Sequence, residues 1–245
     1  MNKNNLNHYV TKLLNSIEKN LNVFYRNKKP QSLHLLRVKI KKLKAIYSFA
    51  EKTYKEEYNS GILKQLFQKA GKIREIHINM HVLGLLPEVS DKTLATLKKK
   101  ETILTGQFIA NGELYTKLLN KFRDENCLPK KLPLKKIIKK YFKKERQKAN
   151  KLHKNNDRES IHRYRIKIKK IMYIYDALPE KKQKSIQLNT DKINKQQKKL
   201  GSWHDTYAAI NFLSHENLYK KESPVITILN TRENRQFNAI ALKSS

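Results

Sequence analysis

One segment of this chain occurs twice. His34-Leu35-Leu36-Arg37-Val38-Lys39-Ile40-Lys41-Lys42-Leu43-Lys44 returns as His162-Arg163-Tyr164-Arg165-Ile166-Lys167-Ile168-Lys169-Lys170-Ile171, at an offset of 128 residues. Self-similarity at a fixed offset constrains the fold before any single element is read, because each copy must form the same unit. The chain is therefore expected to be two repeats, 1–127 and 128–245, joined through Glu125 to Pro133, a stretch that holds Cys127, Pro129 and Pro133.

Wound at about 100° per residue, the first copy separates into two faces. Leu33, Leu36, Ile40, Leu43 and Tyr47 form an apolar arc, while His34, Arg37, Lys41 and Lys44 fall opposite it. The second copy has the same phase, with Ile161, Tyr164, Ile168, Ile171 and Tyr175 on one side and His162, Arg165 and Lys169 on the other. Each half is thus predicted to present a ladder of cations one helical turn apart. A basic helix face is ordinarily just solvated, but such a face usually mixes signs, and there is no acid between His34 and Ala50. Like charges one turn apart cost roughly 0.2–0.5 kcal/mol per pair. A chain that accepts this cost twice, in one register, points to a surface for a polyanion.

A second motif follows each ladder: Ala70-Gly71-Lys72-Ile73-Arg74-Glu75 in the first half and Leu200-Gly201-Ser202-Trp203-His204-Asp205 in the second. The H-x-x-R-V-x-I-K-K-L pattern, present twice, together with these glycine segments, resembles the CHAD (conserved histidine α-helical domain) family over nearly the whole chain. The resemblance implies an all-α fold of two antiparallel four-helix bundles related by a pseudo-two-fold, with a central basic groove or pore. It also implies binding of inorganic polyphosphate, as a scaffold at polyphosphate granules, a storage partner or a regulator. Carried onto this sequence, the binding set is His34, Arg37, Lys41, Lys42, Lys44, Arg74, His162, Arg165, Lys169, Lys170 and His204. Glu75 and Asp205 are the accompanying acids, which either orient these cations or serve the fold through a buried salt bridge or a helix-end contact. CHAD-like segments usually carry Arg-Asp at this point, and here Glu75 and His204 depart from that pair.

The charge agrees with a polyanionic partner, since 54 Lys and Arg stand against 21 Asp and Glu, a formal +33. Self-repulsion on that scale opposes compaction and is relieved by an anion. Nucleic acid, polyphosphate and an anionic membrane surface are the candidate classes. No stretch approaches the 18 consecutive apolar residues of a membrane span. One cysteine excludes an intramolecular disulfide framework, and Met1 to Tyr9 lacks the apolar core of a signal peptide, so the cytoplasm is the expected compartment.

Periodicity predicts four helices per half and no strands. The first runs from Asn5 to Arg26, and the second from about Pro30 to Lys52. A third opens on a capping box at Thr53-Tyr54-Lys55-Glu56, and a fourth is capped by Ser90 and breaks near Asn111-Gly112. The fifth begins near Leu134, and Asn156 with Glu159 caps a sixth that stops before Pro179. A seventh crosses Gly201, and Ser223-Pro224 opens the last, to about Leu242. Glycine within a helix costs about 1 kcal/mol against alanine, so Gly71 is expected where another helix approaches closely.

Two rivals remain at this level. A nucleic-acid-binding module would add base-stacking aromatics to the basic surface, but Tyr47, Tyr164 and Tyr175 fall on the apolar faces and Trp203 reads as core. A phosphoryl-transfer enzyme would use His34 or His162 as phosphoacceptor and would need metal-holding carboxylates, which the ladders lack. His77 and His81 stand one turn apart without a third ligand beyond Glu75, so neither a metal nor a cofactor is expected. A non-catalytic binding protein is the reading that remains.

Overall fold

Leu33, Leu36, Ile40 and Leu43 are all excluded from solvent, so the apolar arc read from the sequence is the seam on which its helix packs. Burying such side chains is worth about 2 kcal/mol each. In the second copy Ile161, Tyr164, Ile168 and Ile171 are likewise buried, while Tyr175 is only partly so. The computed structural model describes residues 6–216, 218–219 and 223–241, and every regular element among them is a helix. These are α1 Leu6–Asn27, α2 Pro30–Tyr54, α3 Lys64–Leu83, α4 Asp91–Ala110 and α5 Gly112–Glu125, then α6 Lys135–Lys154, α7 Arg158–Ala177, α8 Glu180–Lys184, α9 Thr190–His215 and α10 Pro224–Ala241.

Among the described residues five helices therefore lie on each side of the connection rather than four. The break foreseen at Asn111-Gly112 separates α4 from α5, and α8 is a five-residue turn after Pro179, too short to show a period. The capping box at residues 53–56 does not form. Thr53 is buried inside α2 and its hydroxyl donates back to the Phe49 carbonyl, Lys55 ends the helix in the left-handed region, and α3 starts only at Lys64. The cap of α7 is Asp157, whose Oδ1 accepts from the Ser160 N–H at 2.8 Å, while Asn156 turns the chain with a φ of 55°. Ser90 caps α4 as expected, and Ser223 and Pro224 open α10. Leu242 lies outside the described residues.

The two ladder helices, α2 and α7, pack on each other, α3 packs on α9, and each ladder helix also packs on the α3 or α9 of its own half. The hydrophobic packing does not follow the repeat boundary. One cluster runs from Leu6, Phe24 and Tyr47 to Ile168, Trp203 and Phe237; a second joins Ile76, Leu83 and Leu97 to Phe212, Leu213 and Leu229. Where α2 meets α7, two polar contacts tie the halves. Lys42 reaches Asp176 at 3.3 Å, and Lys170 donates to Ser48 Oγ. Ser48 and Asp176 stand at the same 128-residue offset as the two lysines, so each repeat clamps the other through the same positions.

Candidate functional site: a cation-lined basin

Turning the apolar arc of α2 inward leaves Arg37, Lys41 and Lys44 directed past α3, where Phe67 receives them. The Arg37 guanidinium lies 4.1 Å from the centre of the Phe67 ring, and Lys44 and Lys41 stand over the same ring at 4.7 and 5.9 Å. The negative face of a phenyl ring attracts cations, which offsets part of the repulsion among three of them. Arg37 is fixed further by donating through Nη1 to the Phe67 carbonyl. Gly71, one turn along α3, leaves the space this requires. A Cβ there would overlap Nη1 of Arg37 and come within 3.1 Å of its Cζ. What approaches Gly71 is therefore an arginine side chain from α2 and not a second helix backbone. Gly201 has no such neighbour, since among the described residues no atom beyond its chain neighbours and its own helix backbone would lie within 4 Å of a Cβ at that position.

From the other half, α7 contributes His162, Arg165 and Lys169, and α9 contributes His204 and Asp205. The rings of His162 and His204 stack at 4.9 Å, with 20° between their planes. Asp205 Oδ1 stands 3.7 Å from His204 Nδ1. Burial acts to raise the Asp205 carboxyl, but the contact with His204 and the charges of Arg165 and of Arg74 from the other half outweigh it and hold the group low. Asp205 therefore sits among cations of both repeats. Glu75 is exposed and faces Arg37.

Three adjoining hollows share His204 as a wall. The first, about 660 Å³, is lined by Arg37, Gly71, Arg74 and Glu75, and the second, about 370 Å³, by Lys41, Lys44, His162, Arg165, Lys169 and Lys170. The third, about 550 Å³, adds Arg158 and Glu159 beside His162 and Glu75. His34 borders none of these, yet burial first and then Arg74, Lys41, Lys169 and Arg37 lower its pKa. Burial and then His204 and Arg165 do the same to His162. Lys41 and Lys169 are both pushed down to about 8, by the surrounding protein and by cations of the facing ladder or their own.

The cations of the basin have few partners in the protein. Among the described residues, Arg74 and Arg165 make no hydrogen bond through their guanidinium groups, and the Nε of each is buried without an acceptor. Where helices meet elsewhere, buried acids are paired with cations: Glu145 takes Lys52 and Lys167, Glu233 takes Arg158 and the Trp203 indole, and Glu101 takes Lys98 and His77. Leaving a buried donor unmade costs about 1–3 kcal/mol.

Lys42 and Lys170 are placed differently from the rest of the set. Lys42, bound to Asp176 and to the Tyr9 hydroxyl at 3.5 Å, lies at the α2–α7 contact and lines none of the three hollows. Lys170 borders the second hollow but its Nζ is directed to Ser48. Phe67 and Tyr173, which line the basin, escaped the sequence reading, although Phe67 stands four residues before Gly71 and so shares its face. Trp203 is core, fully buried and stacked on Tyr207.

Compared with known families, residues 8–214 match the CHAD domain model. This chain belongs to the CHAD domain family. Among solved structures it is similar to the crystal structure of the CHAD domain from the plant Ricinus communis, with 15% identity, a TM-score of 0.65, and coverage of 95% of this chain and 84% of that one. At this identity the likeness establishes the fold alone. No curated protein matches the sequence. The basin of this CHAD domain lies where the repeated motifs of its two halves meet.

Proposed function

We propose that this CHAD domain binds inorganic polyphosphate in the basin between α2, α3, α7 and α9, without catalysing a reaction. One observation carries the reading: guanidinium and ammonium groups of both repeats converge on one volume, and Arg74 and Arg165 find no acceptor there among the described residues. Phosphate oxygens supply what is missing, because a guanidinium fork takes two of them at once. A linear anion with a charge on every unit and no bases to read suits cations spaced one turn apart. Release of condensed counterions would make the affinity salt-dependent. Burial and neighbouring cations lower the pKa of His34 and of His162, and an entering anion acts in the opposite sense, favouring their protonated forms. Glu75 and Asp205 act by holding cations in place, Asp205 between Arg165 and Arg74. The expected setting is cytoplasmic, at polyphosphate granules. No helix among the described residues is long and apolar enough to cross a membrane.

Calorimetric titration with polyphosphate tests this on Arg74→Gln/Arg165→Gln, which keeps the three-carbon stem and a polar end but removes the charge and the guanidinium fork. The reading expects affinity to fall by about two orders of magnitude, some 1.4 kcal/mol for each arginine, with the unfolding temperature unchanged or raised. Affinity equal to that of the native chain would overturn it. Nucleic acid is the competing polyanion; Tyr47, Tyr164 and Trp203 are buried and offer it no stacking platform, and the rings of Phe67 and Tyr173 in the basin are already faced by Arg37 and Lys42. A phosphoacceptor role for His34 or His162 predicts that polyphosphate chain length changes with Mg²⁺ and nucleotide; the binding reading expects no change.

A further inference from the structure

We propose that the solvent face of α6 is a second polyphosphate track that continues the basin and engages chains too long to be held by the basin alone. The proposal rests on the reading of the basin as a polyphosphate site. α6 carries nine lysines and one arginine in 20 residues, and all ten are exposed. Its one acid, Glu145, is turned inward, where it binds Lys52 at 3.1 Å and Lys167 at 2.9 Å. None of the ten exposed cations has a carboxylate within ion-pairing distance among the described residues, so α6 bears unrelieved self-repulsion along about 30 Å of helix.

The other repeat provides an internal control. By the 128-residue offset, α6 corresponds to α1, which packs on its own ladder helix as α6 packs on α7. α1 has only Lys12, Lys19 and Arg26 as cations, with Glu18 among them. The packing that the two helices share therefore does not require a lysine-rich face. That face is an addition to α6 alone.

A cationic path joins it to the basin. Lys52, Lys140, Lys144 and Lys148 line a hollow of about 330 Å³ between α2 and α6, whose one acid, Glu145, is taken up by Lys52 and Lys167. Lys52 also stands near Lys170, and the charges of Lys52 and Lys167 act on that lysine, which itself borders the basin. The lysine-bearing seam thus runs from Lys169 and Lys170 over the meeting of α2, α6 and α7 to Lys140, Lys144 and Lys148. The aromatics of α6, Tyr141 and Phe142, are buried, so its outer face offers charge and no surface for stacking bases. A bare phosphate chain fits this chemistry.

The test compares a short oligophosphate, no longer than the basin, with a chain several times its length. Each is titrated into the native protein, into Lys136→Gln/Lys140→Gln/Lys144→Gln/Lys148→Gln, and into a control in which Lys19, Lys92, Lys99 and Lys117 are exchanged for Gln. The control removes the same charge from exposed positions outside α6. The proposal expects the α6 variant to lose about tenfold or more in long-chain affinity, to lower the salt slope by roughly three, and to leave short-chain affinity nearly intact. The control should leave both affinities near native. Equal losses for short and long chains, equal losses in control and α6 variants, or no loss at all would overturn it. So would a loss confined to single-stranded RNA of matched charge, titrated into the same three proteins, which would make α6 a nucleic-acid face. Failure of the basin reading is seen separately, as short-chain binding indifferent to Arg74→Gln/Arg165→Gln.

Discussion

Gly71 and Gly201 hold the same place in the two copies of the glycine motif, but only Gly71 has a neighbour that a methyl group would strike, the Arg37 guanidinium. The two substitutions by alanine should therefore diverge. Gly201→Ala is expected to stabilise the fold by up to about 1 kcal/mol, since α9 gains a better helix former at no steric cost. Gly71→Ala gains the same propensity but pushes Arg37 off the Phe67 carbonyl, so it is expected to weaken polyphosphate binding severalfold with little change in stability. Thermal unfolding and a binding titration on both variants check this. At Lys41 and Lys169 the same crowding appears as an altered proton affinity. Their ammonium groups titrate near 8 instead of 10.5, so between those values the unfolded chain holds more protons than the folded one. Stability of the free protein should therefore rise with pH across that window. A bound polyanion favours the charged form, so binding takes up protons just above pH 8, and affinity declines as pH rises further. Calorimetry in buffers of different ionisation enthalpy reads that uptake directly.

Among the helices, the ladder elements were legible and their surroundings were not. The faces of α2 and α7 follow from a 3.6-residue period, and every residue of the first apolar arc is buried. The place of Lys42 was not distinguished from that of Lys41, although one residue is a 100° turn on a helix and carries Lys42 out of the basin to Asp176. Phe67 was invisible because its role depends on how α3 docks against α2, which periodicity does not encode. The start of α3 was misplaced because Thr53 bonds to its own helix, and a short hydroxyl side chain serves either role. Glu145 shows what docking adds: from α6 it joins Lys52 of α2 and Lys167 of α7, and despite its burial these hydrogen bonds hold its pKa at about 2. Glu145→Gln is expected to cost about 2 kcal/mol in urea unfolding. The stability that Glu145 contributes is present above the ordinary glutamate range and fades as pH falls from about 4.5 toward 2.

For the molecule as a whole, the excess charge is not spread evenly. Acids are used where helices meet, at Glu145, Glu233 and Glu101, and the basin and the face of α6 are left cationic. The hydrophobic clusters that join the halves hold the two ladders at a fixed separation, so ordering them is part of folding and adds little to the cost of binding. The direct test of this account is a competition at about physiological salt between long-chain polyphosphate and single-stranded RNA of matched charge, on the native chain and on Arg37→Ala/Arg165→Ala. The account predicts a clear preference for polyphosphate that disappears in the double variant. RNA bound as tightly or more tightly, with no response to the loss of the two arginines, would contradict it and reduce the ladders to a charged surface.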